Sequence, residues 1–541
     1  MRYNTPEELT RAIARHMPLM TAADFCDRNG RVIGDREALV DRHRRLSWSQ
    51  VSDFSDRLAL GLIGLGLREK SLVMVQLPNW TELFLARLAA EKAGLSLITV
   101  TPTFRRTELA PILEFARPEA AIIPRQFHGF DHYGSLEEIR PPELRHVLVA
   151  GEDVPAGGIS IEEILSRPTS ESERAMLKTS RHSVLDSCQI ATTSGSTGIP
   201  KCVEVPLYTR LLTGWIHSQR FGVTPGETLA AATSIVTGTA DALVYNGGCQ
   251  LGCRIVLLDS FEAEESCAIL EAERVNVIPM VPTMMARILA LANLGGFDLS
   301  SIRTVVNHGS NLPYSLGSQF EQAVGCSIVQ GYGSVDCGGI AATFVHSASE
   351  IRLGTVGPIL DGNDFQLLDD KGREVPGGEV GRLFVRGLNT DARYFNNPEL
   401  NARARRTGYF DTQELCRLDD QGNLILIGRE NDMIIRGGQN VFPADVEAVL
   451  IEHPKILEVA VVGATDAEMG ERVCAFVVCR AGETMTLSEV ASFLGQKGLA
   501  RFKWPERMEF LDSLPKVPSG HKIDKKRLRD EMEKGLKQSR S

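Results

Sequence analysis

Two kinds of apolar pattern alternate along the first two thirds of the chain. Residues 49–66 repeat apolar positions at helical spacing and end in glycine, 71–77 form a short strand-like run, 82–94 are helical again, and 95–100 read as a second strand. Alternation of this kind continues from about residue 47 to residue 345 and predicts parallel sheets covered by helices. The texture changes near Leu360. Residues 365–369, 382–386 and 424–427 read as short strands separated by Gly and Asp turns, which predicts a small antiparallel β unit. After Asp432 the segment IIRGGQNVFPADVEAVL predicts a strand, a two-glycine turn and a helix opened by Pro443. Further strands are expected at 458–463 and 474–479. The expected fold class is α/β. A large N-terminal domain, residues 1–432, would hold two doubly wound subdomains plus a small β-barrel-like unit, and residues 433–541 would form a small α+β domain.

Composition narrows the class without naming a function. The chain has 541 residues, of which 43% are hydrophobic and 24% charged, as in ordinary globular proteins. Its net charge of -10 disfavours a general nucleic-acid binder. No apolar run reaches the roughly 18–20 residues of a membrane helix. The N-terminal MRYNTPEELTRAIARH mixes charges of both signs and lacks the apolar stretch of a secretory signal. A cytoplasmic protein with neither nucleic acid nor membrane as partner is expected. The 11 cysteines are odd in number and scattered, and Cys249 and Cys253 have no second pair to complete a metal site, so buried thiols are expected.

The stretch richest in chemistry is TTSGSTGIPK, residues 192–201, which follows a strand-like run at 187–191. Its glycines allow backbone N–H groups close to a phosphate, its hydroxyls add donors, and it ends in a lysine. The spacing is not that of the P-loop. Four more motifs follow in order: HGSNLP at 308–313, GYGSVD at 331–336, GYFDTQEL at 408–415 with GREND at 428–432, and SGHKIDKKRLR at 519–529. Each alone is explained by a tight turn, a core tyrosine or a solvated charge run. Together, in this order, they resemble the adenylate-forming superfamily of acyl-CoA synthetases, adenylation domains and luciferases. The resemblance spans essentially the whole chain and is strongest to stand-alone aryl-acid–AMP ligases of the 2,3-dihydroxybenzoate type.

That resemblance implies roles. Thr193, Ser194, Gly195, Ser196, Thr197 and Gly198 would grip the pyrophosphate end of ATP, with Lys201 as a catalytic cation. Gly309, Ser310 and Asn311 would line the adenine and acyl pockets beside His308. Within Gly331, Tyr332, Gly333, Ser334 and Val335, the tyrosine ring would pack on adenine, and Asp336 would hold Mg2+. Glu414 and Arg429 would bind the ribose, and Asp432 would be the hinge of a mobile C-terminal domain. Lys522 would bridge the substrate carboxylate and ATP, and Gly437 and Gly438 would line a thiol tunnel. The cofactors implied are ATP and Mg2+. Mg2+ and lysines are needed because a carboxylate attacking a polyphosphate brings anions together.

Four positions depart from the family pattern. Asp336 replaces a glutamate. Glu414 replaces an aspartate and follows Gln413, where glycine is usual. The lysine motif has an extra residue, so counting from its downstream end selects Lys522 and counting from Pro515 selects His521; the longer downstream match favours Lys522. In the acyl pocket, Val236 and Thr237 stand where dihydroxybenzoate ligases carry His-Asn, with Gly238 next, which makes the space less polar and argues against dihydroxybenzoate itself. Asp241 has two readings, recognition of a substrate amine or phenol, and a helix N-terminal or solvent-facing acid.

The expected function is ATP-dependent adenylation of a carboxylic acid, expected to be aromatic, followed by transfer to a thiol, either CoA or a carrier-protein phosphopantetheine. Alternatives are activation of an amino acid of β-amino type or a fatty acid, an ATP-dependent diazotase using nitrite, and a non-catalytic binding relic. Lys503, Arg507, Lys525 and Arg527 could face an anionic acceptor or simply solubilise the C-terminal part.

Overall fold

The computed structural model describes residues 5–193, 201–236, 238–405, 407–466, 468–517 and 523–538. Two eight-stranded sheets dominate it. The first runs, edge to edge, through Arg393–Tyr394, Lys201–Pro206, Ser187–Thr193, Ser96–Thr99, Leu72–Val75, Ala120–Pro124, His146–Ala150 and Ile159–Ser160. The second runs through Gly338–Ala342, Ser327–Ser334, Thr304–His308, Val277–Met280, Thr228–Ala231, Arg254–Leu257, Glu37–Val40 and Arg45–Ser47. Their inner strands are parallel, and each sheet has antiparallel pairing at an edge. Inner strands such as Leu72–Val75 and Val277–Met280 are buried at every residue, as strands covered on both faces must be. The expected helices fall at Trp48–Gly64 and Thr81–Ala93.

The helix Thr81–Ala93 is buried along its whole length, including Glu82, Arg87, Glu91 and Lys92. A helix covered all round needs partners for its charges. Lys92, fully buried, donates to Asp27 (2.7 Å), Asp56 (2.6 Å) and the Ser52 carbonyl (3.1 Å). The strand Glu37–Val40 pairs with Arg254–Leu257, so the start of the chain completes the second sheet, a long-range pairing with no local signal.

The small β unit is a four-stranded antiparallel sheet of Asn363–Leu368, Gly381–Gly387, Phe410–Leu418 and Leu424–Arg429. Its third strand coincides with the GYFDTQEL motif, and the pattern of apolar residues does not single it out. The C-terminal part is a five-stranded sheet with helices Pro443–Leu450, Leu487–Gln496 and Lys525–Gln538. The expected turn at Gly437 and Gly438, with φ of +55° and +81°, closes a hairpin between Ile434–Arg436 and Gln439–Val441. The 11 cysteines form no disulfide, and ten of them are buried. Among the described residues, no helix is long and apolar enough to cross a membrane.

Candidate active site

Parallel pairing brings two of the motifs together. His308 ends one strand opposite Gly331 of the next. The loop through Gly309, Ser310 and Asn311 therefore leaves the sheet beside Gly331, from which the neighbouring strand runs on to Ser334 paired with Gly338–Ala342; the carboxyl ends of parallel strands are where open α/β sheets bind ligands. The Ser/Gly-rich segment has a different setting. It joins two antiparallel strands, with Thr193 opposite Lys201. Ser194, Gly195, Ser196, Thr197, Gly198, Thr237, His521 and Lys522 lie outside the described residues, and Thr193 is described through its backbone only.

Lys201 and Asp336 meet at this point. Lys201 Nζ lies 3.9 Å from Asp336 Oδ2 and 5.3 Å from the centre of the Tyr394 ring. Tyr394 belongs to a two-residue strand paired with Val203. Burial, and then the Asp336 carboxylate to which it is hydrogen-bonded, push its phenol up, so it stays protonated. Tyr394 is a site residue that sequence reasoning missed, because its place is fixed by an edge pairing 191 positions away from a strand with its own motif. Val335 packs in the small cluster of Val203, Val205, Ala392 and Tyr394.

Asp336 is the residue that fits Mg2+. Among the described residues no group of three or more His, Cys, Asp or Glu could hold a metal ion. One carboxylate beside a lysine fits the way Mg2+ is commonly held, by one or two carboxylates with phosphates and waters.

Tyr332 lies half-buried against a cluster that includes Cys337, Leu367, Leu383 and Cys416. Burial first, and then Cys416 and the nearby Glu414, push its phenol well up. Gly333 lies against the neighbouring strand, and a Cβ there would fall 2.4 Å from the Gly338 carbonyl oxygen. Across the β unit, Glu414 faces Arg429, whose Nε donates to Glu414 Oε1 at 2.9 Å. Gln413 adopts a φ of +59°, the left-handed conformation that glycine takes freely. It is held there by its N–H on Asp411 Oδ1 (3.0 Å) and by Asn431 Nδ2 on its side-chain oxygen (3.2 Å). The strand thus keeps the bend of a glycine at 413 and presents a longer acid at 414.

Gly238 and His308 come together. Gly238 has a φ of +61°, and a Cβ there would lie 2.2 Å from His308 Nε2. That nitrogen accepts from the Thr239 N–H at 3.2 Å, which leaves the proton of a neutral ring on Nδ1. The loop is braced from beneath. Gln189 donates to the Val236 carbonyl (2.6 Å), Arg87 to the Ile235 carbonyl (2.5 Å), and Asn79 to the Ala231, Thr233 and Leu258 carbonyls. Sequence reasoning did not find this brace, because its members lie 47 to 154 residues from the loop positions they hold.

Asp241 is the helix N-terminal acid of its second reading, but it does not face solvent: it lies in the first turn of a π-helix, Ala240–Gly247, and is fully buried. It is also not turned to a substrate amine: its carboxylate lies 2.8 Å from Arg87 and 3.3 Å from Arg210 and accepts from Asn246 at 3.1 Å. Two buried guanidiniums need this charge, and they occupy its carboxylate. A wide helical turn suits a segment whose side chain must reach two partners.

In the C-terminal part, Asp432 is ion-paired with Arg529 of the last helix. The four basic residues considered for an acceptor are all ion-paired: Lys503 with Asp445 (2.5 Å), Arg507 with Glu509 (2.7 Å), Lys525 with Glu447 (2.6 Å) and Arg527 with Glu531 (2.8 Å). Lys516 pairs in a bridge with Ile523. Burial, and the neighbouring Arg287 of helix Pro282–Leu289, lower the Lys516 pKa, and Arg287 lies 3.7 Å from Glu458 across the two parts of the chain.

Comparison with known proteins agrees with this geometry. Residues 26–395 match the AMP-binding enzyme family, and residues 445–521 match the AMP-binding enzyme C-terminal domain. A 2-hydroxy-7-methoxy-5-methyl-1-naphthoate–CoA ligase of Streptomyces carzinostaticus is 32% identical, the match covering 92% of this chain and 91% of the relative. A 2,3-dihydroxybenzoate-AMP ligase of Bacillus subtilis (strain 168) is 30% identical over 93% and 92% of the two chains. The crystal structure of the anthranilate CoA ligase AuaEII in complex with anthranoyl-AMP superposes with a TM-score of 0.87 at 25% identity, covering 97% of this chain and 99% of that one.

Proposed function

The chain belongs to the AMP-binding enzymes, and from that premise we propose that the acid it activates is aromatic, with a hydroxyl or amino group beside the carboxylate, and that its acceptor is the thiol of CoA. The reaction class is that of an ATP-dependent acid ligase. The observation that carries the site is the meeting of Lys201 with Asp336 at 3.9 Å and of Arg429 with Glu414 at 2.9 Å. Together they offer a cation and a carboxylate for phosphates and an acid–arginine pair for a ribose, with the Tyr332 ring for the base.

The chemistry assigns work to each group. A carboxylate oxygen of the substrate attacks the α-phosphorus of ATP, the bond to the bridging oxygen breaks, and pyrophosphate leaves. Lys201 and the hydroxyls of the 193–198 loop offset the charge of the departing phosphates. Lys522 brings positive charge to the attacking carboxylate from the C-terminal part. Asp336 would hold Mg2+, which supplies further neutralisation of the phosphates when bound. Glu414 and Arg429 fix the ribose, and Tyr332 orients the base. Thioester formation then needs a sulfur to attack the acyl carbonyl while the bond to AMP breaks and the thiol proton passes to solvent. The hinge at Asp432 and the turn at Gly437 and Gly438 serve that second step, with the domain boundary at 432.

The aromatic assignment rests on the named relatives, a 2-hydroxynaphthoate, a dihydroxybenzoate and an anthranilate ligase. In each of those acids a hydroxyl or amine neighbours the carboxylate. The commitment of Asp241 to two arginines removes the feature that favoured an amino-acid substrate. The test is acid-dependent pyrophosphate release from ATP and Mg2+ across benzoic, hydroxybenzoic, aminobenzoic, naphthoic, β-amino and medium-chain fatty acids, with nitrite included. Release with a ring acid is expected. Release with a fatty acid, a β-amino acid or nitrite in preference to every ring acid contradicts the reading.

A further inference from the structure

Beside the acid loop stands a histidine that no motif contains. His217, on the helix Leu207–Arg220, is 4% exposed, and neither ring nitrogen has a hydrogen-bond partner among the described residues. A neutral imidazole carries one donor and one acceptor, and burying both unmet is costly. Its neighbours explain what the ring faces. A Cβ built on Gly331 would lie 3.6 Å from Thr239 Oγ1, 3.7 Å from His217 Cε1 and 3.7 Å from Phe221 Cζ. These are ordinary contact distances, so the glycine leaves an opening the size of a methyl group, walled by Thr239, His217 and Phe221. Gly331 is also the strand partner of His308, whose ring covers Gly238. The opening therefore adjoins the expected acid pocket of Val236, Gly238 and His308.

The two histidines differ in what they have left to offer. His308 Nε2 already accepts from the Thr239 N–H. The His217 ring lies tilted against Phe221, with ring centres 4.9 Å apart, and no protein group meets its nitrogens among the described residues. Burial, and then the nearby His308 and Arg220, hold its pKa down to about 3, so it stays neutral and keeps both a donor and an acceptor at working pH.

We infer that His217 is a specificity-determining residue that reads a hydrogen-bonding substituent on the ring of the acid, through the opening left by Gly331. This rests on the aromatic-acid reading and deepens it. A hydroxyl or amino group on the ring satisfies a buried nitrogen that an unsubstituted ring leaves unmet. Sites built to bond a substrate hydroxyl reject the analogue that lacks it, because the protein group is then stranded.

The test compares matched acids in pyrophosphate release: benzoic against 2-hydroxybenzoic and 2-aminobenzoic, and 1-naphthoic against 2-hydroxy-1-naphthoic. Wild type is expected to prefer a substituted acid by at least about tenfold in kcat/KM, the effect of one hydrogen bond. His217→Phe is expected to erase that preference by slowing the substituted acid alone, and His217→Gln to restore part of it. Gly331→Ala, whose methyl fits at contact distance, should penalise the same substituted acids. Binding of the sulfamoyl-adenosine analogues of benzoate and 2-hydroxybenzoate should show the same ratio of Kd values. Equal losses for both members of each pair in His217→Phe, or no preference in wild type, overturn the inference while leaving the aromatic reading intact. Turnover of no ring acid by wild type overturns the aromatic reading, and the inference with it.

Discussion

A side chain at position 238 and the ring of His308 compete for one space: a Cβ on Gly238 would fall 2.2 Å from His308 Nε2. The backbone there is left-handed as well, with a φ of +61°. Gly238→Ala therefore pays twice, about 1–2 kcal/mol for the conformation and more for displacing the ring. A shift of His308 by 1 Å at the acid pocket is expected to lower kcat/KM for the acid about a hundredfold. The KM for ATP should change little. Steady-state kinetics with each substrate varied in turn checks this, and a loss confined to ATP would contradict the placement of His308.

Asp241 is structural in this account. Asp241→Asn leaves Arg87 and Arg210 buried without a compensating charge, which is expected to destabilise the fold by about 3–5 kcal/mol. Activity should fall equally with every acid. Denaturant unfolding together with the acid panel tests this. Unchanged stability with a loss restricted to amino-bearing acids would return Asp241 to the pocket.

Glu414 and Arg429 hold each other at 2.9 Å where a ribose is expected. Glu414→Gln removes the charge from hydrogen bonds that are each worth about 1.5–3 kcal/mol. The KM for ATP is expected to rise about tenfold or more, and the KM for the acid to stay within about twofold. A change in the acid KM alone would place Glu414 outside the nucleotide site.

His217 also gives a pH signature. Its pKa is about 3 in the fold and near 6.5 in the unfolded chain. Between these values the unfolded state binds the extra proton, so the folded state loses stability as pH falls below about 6.5, at up to about 1.4 kcal/mol per pH unit. His132, held down to about 4 by burial and then by Arg105, adds a contribution of the same sign that every His217 variant retains. Wild type is therefore expected to lose more stability than His217→Phe between pH 6.5 and 4.5. Parallel unfolding curves at several pH values decide it, and identical slopes would mean that the ring is not a buried neutral imidazole.

How much was legible in the sequence follows from where each signal resides. The helices Trp48–Gly64 and Thr81–Ala93 and the short parallel strands announce themselves through local apolar runs and glycine stops. Lys201, Asp336, Glu414 and Arg429 stand in motifs, and the structure brings them together in two pairs. What the sequence concealed is set by distant contacts. The Glu37–Val40 strand pairs 216 positions downstream, at Leu39 with Ile255. Tyr394 joins the site through an edge pairing, His217 through a helix face with no motif, and Asp241 is neutralised by arginines 154 and 31 positions away, at 87 and 210. A buried charge and a pocket acid look alike until their partners are placed.

The most direct test of the central claim is mass-spectrometric analysis of the products formed from ATP, Mg2+, CoA and 2-hydroxybenzoate or 2-aminobenzoate, in wild type and in Lys522→Ala. The account predicts AMP, pyrophosphate and an aryl-CoA thioester from wild type, an aryl-adenylate when CoA is withheld, and loss of adenylate formation in the variant. ADP and inorganic phosphate, or AMP formed without any aryl-adenylate, would contradict it.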